Sequence, residues 1–188
     1  MEVKLLWTSP EPSKAIEYAA RLCYDSHDKI KEGSAAKLVR ACINKGHYSI
    51  TEHSAASFHV SGVSRSLLAQ ITRHRQLSFC VRSQRYCKED GSTFVPAKFD
   101  DEQMVEFEAA MDNAQQHYDT LISMGAKAED ARAVLPNACA TEFVVTANFR
   151  AWYEFLQKRQ DRAAQKEIRD LADMIHSKLV KISPDVFE

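Results

Sequence analysis

Residues 54–74 read SAASFHVSGVSRSLLAQITRH, and the period of the apolar side chains changes in the middle of that stretch. From 54 to 60, Ala56, Phe58 and Val60 alternate with Ser57 and His59, the two-residue period of a half-buried strand. Gly62 is expected to end it. From 63 to 74, Leu67, Leu68 and Ile71 form an apolar stripe at helical spacing, which brings Gln70, Arg73 and His74 near one another one turn apart.

The flanking sequence repeats this mixture. Upstream, 3–8 alternates weakly as a strand before Ser9-Pro10. A helix is expected over 12–24, with Ile16, Ala19, Ala20 and Cys23 on one face, and another over 34–45, closed by Gly46. Downstream, 91–96 reads as an exposed turn, and 100–124 as a long helix carrying Met104, Phe107, Met111, Ala114, Tyr118 and Leu121. A short helix over 128–134 halts before Leu135-Pro136, because the residue preceding proline avoids helical geometry. Residues 143–146 are β-prone. Asn148 can then cap a helix with Trp152, Phe155 and Leu156 on one side, ending near Arg159. A last helix over 162–182 is expected to bury Ala164, Ile168, Leu171, Ile175, Leu179 and Ile182. Helices mixed with a few non-consecutive strands predict an α+β fold in one domain, 1–188.

The 188 residues are 45% hydrophobic, enough for a real core. A net charge of -1 argues against general polyanion or nucleic-acid binding, which scales with the phosphates neutralised. The five cysteines are scattered without a CxxC pair, which points to reduced thiols in a cytoplasm rather than to a disulfide framework or structural zinc. No stretch has the length of a membrane span, and the opening apolar run is too short for a signal peptide. No GxGxxG or P-loop sequence occurs, so a nucleotide must be held by side chains and ordinary backbone amides.

Chemistry concentrates in RHRQLSFCVRSQR, residues 73–85. No Asp or Glu occurs from 54 to 88 to neutralise it. Arginine forks match phosphate or carboxylate oxygens two at a time, so Arg73, Arg75 and Arg85 suggest a phosphorylated ligand held in a fixed pose. A solvated basic helix end is the plainer reading of the same charges. A nearby histidine could in principle activate Ser83 as a nucleophile, but arginines compete for the same space and no acid partner is evident, so donation of a hydrogen bond to phosphate is the expected role. His47, His53 and His59 recur every six residues, a spacing that suits neither one helix face nor a metal site. A single-stranded nucleic-acid binder, with Phe79 and Tyr86 stacking on bases, is a competing reading.

Arg-His-Arg, seven residues, then Ser83 resembles the signature of the flavin-dependent thymidylate synthases. GHYSITEHSAASFHV (46–60), ARAVLPN (131–137) and NFRAWYEFLQKR (148–159) resemble the same family, in the right order. The resemblance implies an antiparallel sheet flanked by helices, assembled as a homotetramer with FAD-containing active sites between subunits. It implies methylation of dUMP to dTMP, with 5,10-methylenetetrahydrofolate as carbon donor and NADPH reducing the FAD. By the same resemblance, Ser49, Glu52, Arg73, His74, Arg75, Asn148 and Arg150 contact FAD. Gln70, Arg73, Ser83, Gln84, Arg85, Arg132 and Arg159 hold dUMP, and Arg159 stabilises charge on the activated uracil as the catalytic residue. No metal, nucleic acid or membrane partner is implied.

Several residues depart from the family pattern. Cys80, Val81 and Arg82 stand where many relatives have polar side chains, with Arg82 adding charge, and Glu154 and Ala163 replace residues that in some relatives are Asn and His. Ser49 keeps the hydroxyl of a common threonine. Weaker retention of FAD on purification is the expected consequence.

Overall fold

The computed structural model describes residues 1–188 except Asp90 and Ser92, so the expected turn over 91–96 lies partly outside the described residues. Four strands form one sheet in the order β1-β2-β4-β3: β1 (Glu2–Thr8), β2 (Ala55–Ser64), β3 (Ser78–Val81) and β4 (Ala140–Asn148). Phe149 N–H donates to the Ser54 carbonyl, Arg65 N–H to the Cys139 carbonyl and Thr146 Oγ1 to Ser57 Oγ. Residue numbers that rise on one strand as they fall on the other mark β2 and β4 as antiparallel. The helices are α1 (Pro12–Leu22), α2 (Ser34–Asn44), α3 (Arg65–Ile71), α4 (Asp101–Ser123), α5 (Ala128–Ala131), α6 (Phe149–Arg159), α7 (Lys166–Ile182) and α8 (Pro184–Phe187). Short 3-10 turns span His27–Lys29, Tyr48–His53 and Arg132–Val134. The α+β class expected from the sequence is the class observed.

Contacts divide the chain into two compact units. The first comprises Met1–Glu2, Val60–Arg73 and Cys80–Phe143, and the second Val3–His59, His74–Phe79 and Val144–Glu188. The core of the second unit gathers around α6 and α7. Trp152 is fully buried, meets Phe58 and Phe155 edge-on, and donates its indole N–H to the Ala56 carbonyl at 3.1 Å. Ile168, Leu171, Ile175 and Leu179 bury one stripe of α7. In the first unit, Val63, Leu67 and Ile71 are buried, and Tyr118 is the buried side chain of α4. Asp100 and Gln103 start α4 with a reciprocal capping box.

Three expectations are corrected. Gly62 does not end β2: the strand continues to Ser64 through a glycine at φ 65°, and a Cβ there would stand 3.2 Å from the Met1 nitrogen. The helix expected over 63–74 is therefore shorter, starting where Ser64 Oγ accepts the Leu67 N–H and ending at Ile71. Arg73 and His74 lie beyond it, in the turn that leads to β3, a strand the sequence reading missed. The last long helix begins at Lys166 rather than 162, because Asp161 Oδ1 accepts the Ala163 N–H in a local turn that competes with helix.

Candidate functional site

Four residues expected at the flavin converge in the second unit. Ser49 and Glu52 come from the 3-10 turn Tyr48–His53, Asn148 from the end of β4 and Arg150 from the first turn of α6, and all four line one pocket of about 650 Å³. Local sequence explains the placement. Asn148 Oδ1 caps α6 by accepting the Ala151 N–H at 2.8 Å, which fixes where the helix starts and leaves the Asn148 amide N–H groups for a ligand. Arg150 donates to Glu154 Oε1 at 2.7 Å, and its guanidinium lies 4.8 Å from the Tyr48 ring centre. Tyr48 and Tyr153 share a hydrogen bond between their hydroxyls at 3.2 Å. That bond, and then burial, raises the Tyr153 phenol. Tyr48, Gln76 and Glu154 also line the pocket. Tyr48 was missed as a site residue, although it stands inside the quoted GHYSITEHS run.

Arg159, the last residue of α6, donates Nε–H to His74 Nε2 at 2.8 Å. The His74 ring is half-buried with its centre 5.2 Å from that of Phe155, edge-on. Burial, reinforced by the positive charges of Arg159 and Lys158, lowers the imidazole from 6.5 to about 4. The ring is therefore neutral at physiological pH, with Nε2 bare to accept. Arg73 and Arg75 are exposed on either side of it in the chain, and neither makes an ion pair among the described residues.

The first unit holds most residues expected at dUMP. Arg85 Nε pairs with Glu129 Oε2 at 3.1 Å, and Arg132 Nε donates to the Glu129 carbonyl at 3.1 Å, so both arginines meet at one residue. Ser83 Oγ accepts the Arg85 N–H at 3.2 Å. Gln70, on α3, directs its amide to the Ser66 carbonyl at 3.4 Å. Gln84 is only 6% exposed and turns its amide toward Cys139 Sγ at 3.6 Å, which makes it a support of the loop from inside. Arg65 went unassigned in the sequence. Its guanidinium is lowered, chiefly by burial and also by the charges of Arg132 and Arg82, and its Nε is buried without a hydrogen-bond partner. A donor in that state is satisfied by an anion.

The arrangement offers two chemistries. The second-unit pocket mixes hydroxyl, amide, carboxylate, guanidinium and phenol groups, which suits the sugar and base portions of a large polar cofactor. The first unit concentrates Arg65, Arg85 and Arg132, which suits a phosphate. Among the described residues no group of three or more His, Cys, Asp or Glu side chains is arranged to hold a metal ion. No helix among them is long and apolar enough to cross a membrane.

Comparison with known proteins identifies the family. The family model described as thymidylate synthase complementing protein matches residues 4–185. A curated relative from Mycolicibacterium vanbaalenii, named flavin-dependent thymidylate synthase, is 39% identical over 192 residues, covering 92% of this chain and 77% of its own. A relative of the same name from Geobacter sulfurreducens is 39% identical over 200 residues, covering 100% of this chain and 85% of its own. A crystal structure of flavin-dependent thymidylate synthase ThyX from Helicobacter pylori, complexed with FAD and dUMP, is similar at a TM-score of 0.86 and 25% identity, over 100% of this chain and 98% of that one.

Proposed function

This chain belongs to the thymidylate synthase complementing protein family, whose members include the flavin-dependent thymidylate synthases, and from that premise we propose that it converts dUMP to dTMP with FAD as cofactor. In this reading 5,10-methylenetetrahydrofolate donates the carbon and NADPH reduces the flavin. The chain works as one domain, 1–188, in the cytoplasm, and assembles as a homotetramer with active sites between subunits. The observation that carries the reading is the convergence of Ser49, Glu52, Asn148 and Arg150, drawn from two separated motifs, on a single pocket.

The residues present fit FAD. Asn148 and Ser49 offer hydrogen bonds that the cap and the 3-10 turn leave available, and Glu52 accepts from ribose hydroxyls or the adenine amino group. The cofactor's pyrophosphate calls for cations, which Arg73, Arg75 and Arg150 supply. Arg150 is engaged with Glu154, so part of its charge must be released from that carboxylate before it serves the cofactor. This is the physical form of the weaker FAD retention expected from the sequence.

When bound and reduced, FAD supplies the hydride that turns the transferred one-carbon unit into a methyl group. The protein's share is positioning and electrostatics. Ser83, Arg85 and Arg132 take the dUMP phosphate and convert remote binding into alignment of the base, with Gln70 and Arg73 completing the nucleotide contacts, while Gln84, expected at dUMP, is buried against Cys139 and supports the loop instead. Arg159 faces the uracil and favours the polarised ring. Its guanidinium is held in place by neutral His74, so little reorganisation is needed as charge develops.

Titration of the purified protein with FAD tests the pocket assignment. We expect a flavin absorbance that saturates, an affinity weakened by Arg73→Lys, which loses the planar fork, and an affinity strengthened by Glu154→Asn, which frees Arg150. A chain that takes up no FAD at any concentration would remove the proposal.

A further inference from the structure

The loop that follows β3 carries Ser83, Gln84 and Arg85, and in the first unit its two ends are joined by an ion pair. Arg82 stands at the near end. It pairs Nη1 with Glu89 Oε1 at 2.5 Å and donates Nη2–H to the Lys88 carbonyl at 3.3 Å, while its own N–H donates to the Glu142 carbonyl of β4 at 3.0 Å. Glu89 stands at the far end and is 5% exposed, a carboxylate that requires compensation by charge and hydrogen bonds. It is also fastened to α4: its N–H donates to Tyr118 Oη at 3.1 Å, and its carbonyl accepts from Gln115 Nε2 at 2.8 Å. Tyr118 is buried, so this anchor belongs to the core. Between these two ends the chain turns on Ser83, whose carbonyl accepts the Tyr86 and Cys87 N–H groups at 3.3 and 3.0 Å.

We infer that Arg82 and Glu89 are positioning residues that staple the 83–88 loop into its substrate-binding shape before substrate arrives. The sequence offered Arg82 only as an added charge. The structure gives that charge a partner across the loop and a route through Glu89 into α4. A loop already ordered loses less conformational entropy on binding, so more of the phosphate contact free energy appears as affinity. The inference rests on the proposed reading of Ser83 and Arg85 as dUMP ligands.

The test uses the full-length, FAD-loaded protein. Arg82→Leu is expected to speed amide hydrogen exchange across 83–88 and to weaken dUMP binding about tenfold, with the loss larger in KM than in kcat. Arg82→Lys keeps the charge but not the second contact, to the Lys88 carbonyl, and should restore part of both. It also serves if the leucine variant does not fold, since it should then show the same changes against wild type in smaller measure. Unchanged exchange, or unchanged dUMP affinity in both variants, overturns the inference. Failure of the underlying reading has its own signature: Arg85→Ala would leave dUMP affinity unaltered even though Arg82→Leu still loosened the loop.

Discussion

Arg159 and His74 are 85 residues apart in sequence and 2.8 Å apart at their paired nitrogens, and that contact gives the histidine a role its sequence context did not suggest. A protonated imidazole has no lone pair to offer Arg159, so the contact exists only while the ring is neutral. Arg159→Ala should cut methylation on the order of a hundredfold to a thousandfold, the usual effect of removing a pre-aimed electrostatic donor, while FAD uptake measured by absorbance survives. Turnover near wild type would take Arg159 out of the mechanism. His74 also predicts a pH dependence of stability. Its folded value, about 4, lies below the reference 6.5, so between these values the unfolded chain binds more protons than the folded one. The contribution of neutral His74 is thus complete above pH 6.5 and fades as pH falls toward 4. Urea midpoints compared across that window should fall more steeply for wild type than for His74→Gln, which keeps an acceptor but does not titrate. Parallel slopes would show that His74 is not held neutral by the fold.

Among elements, α6 does two jobs from one end: Asn148 caps it, and the same residue faces the pocket. The two roles separate by substitution. Asn148→Ala should lose about 1 kcal/mol of stability and weaken FAD, whereas Asn148→Ser should keep most of the cap and still weaken FAD. Denaturation midpoints and flavin titrations read the two effects independently, and unaltered FAD affinity in both variants would reduce Asn148 to a cap alone. Much of this was legible beforehand. The cap, the Trp152, Phe155 and Leu156 face and the alternation of β2 all follow from local chemistry, because a two-residue or helical period records which side is buried. β3 was not legible, since Ser78–Val81 is a short edge strand with no long apolar run. Gly62 misled because a strand can pass through a left-handed glycine when another segment approaches closely, here the Met1 nitrogen. Nor could sequence show that Arg150 would lie over Tyr48 or that Gln84 would turn inward to Cys139. Those contacts depend on segments far apart in the chain.

At the scale of the whole molecule, a net charge of -1 conceals a local division of labour. Most flavin candidates, Ser49, Glu52, His74, Arg75, Asn148 and Arg150, fall in the second unit, and most dUMP candidates, Gln70, Ser83, Gln84, Arg85 and Arg132, fall in the first. Arg73 and Arg159 are the exceptions: Arg73, in the first unit, is a candidate for both ligands, and Arg159, a dUMP candidate, falls in the second. Each unit holds a candidate cation in an ion pair, Arg150 with Glu154 and Arg85 with Glu129, so in the proposed reading an anionic ligand competes with a carboxylate for each. In the proposed reading these residues together run a reductive methylation. Its most direct test is anaerobic conversion of dUMP to dTMP by the FAD-loaded protein with NADPH and 5,10-methylenetetrahydrofolate, omitting each component in turn. Product that requires every component is the predicted result, and absence of product with FAD and dUMP both bound would contradict it.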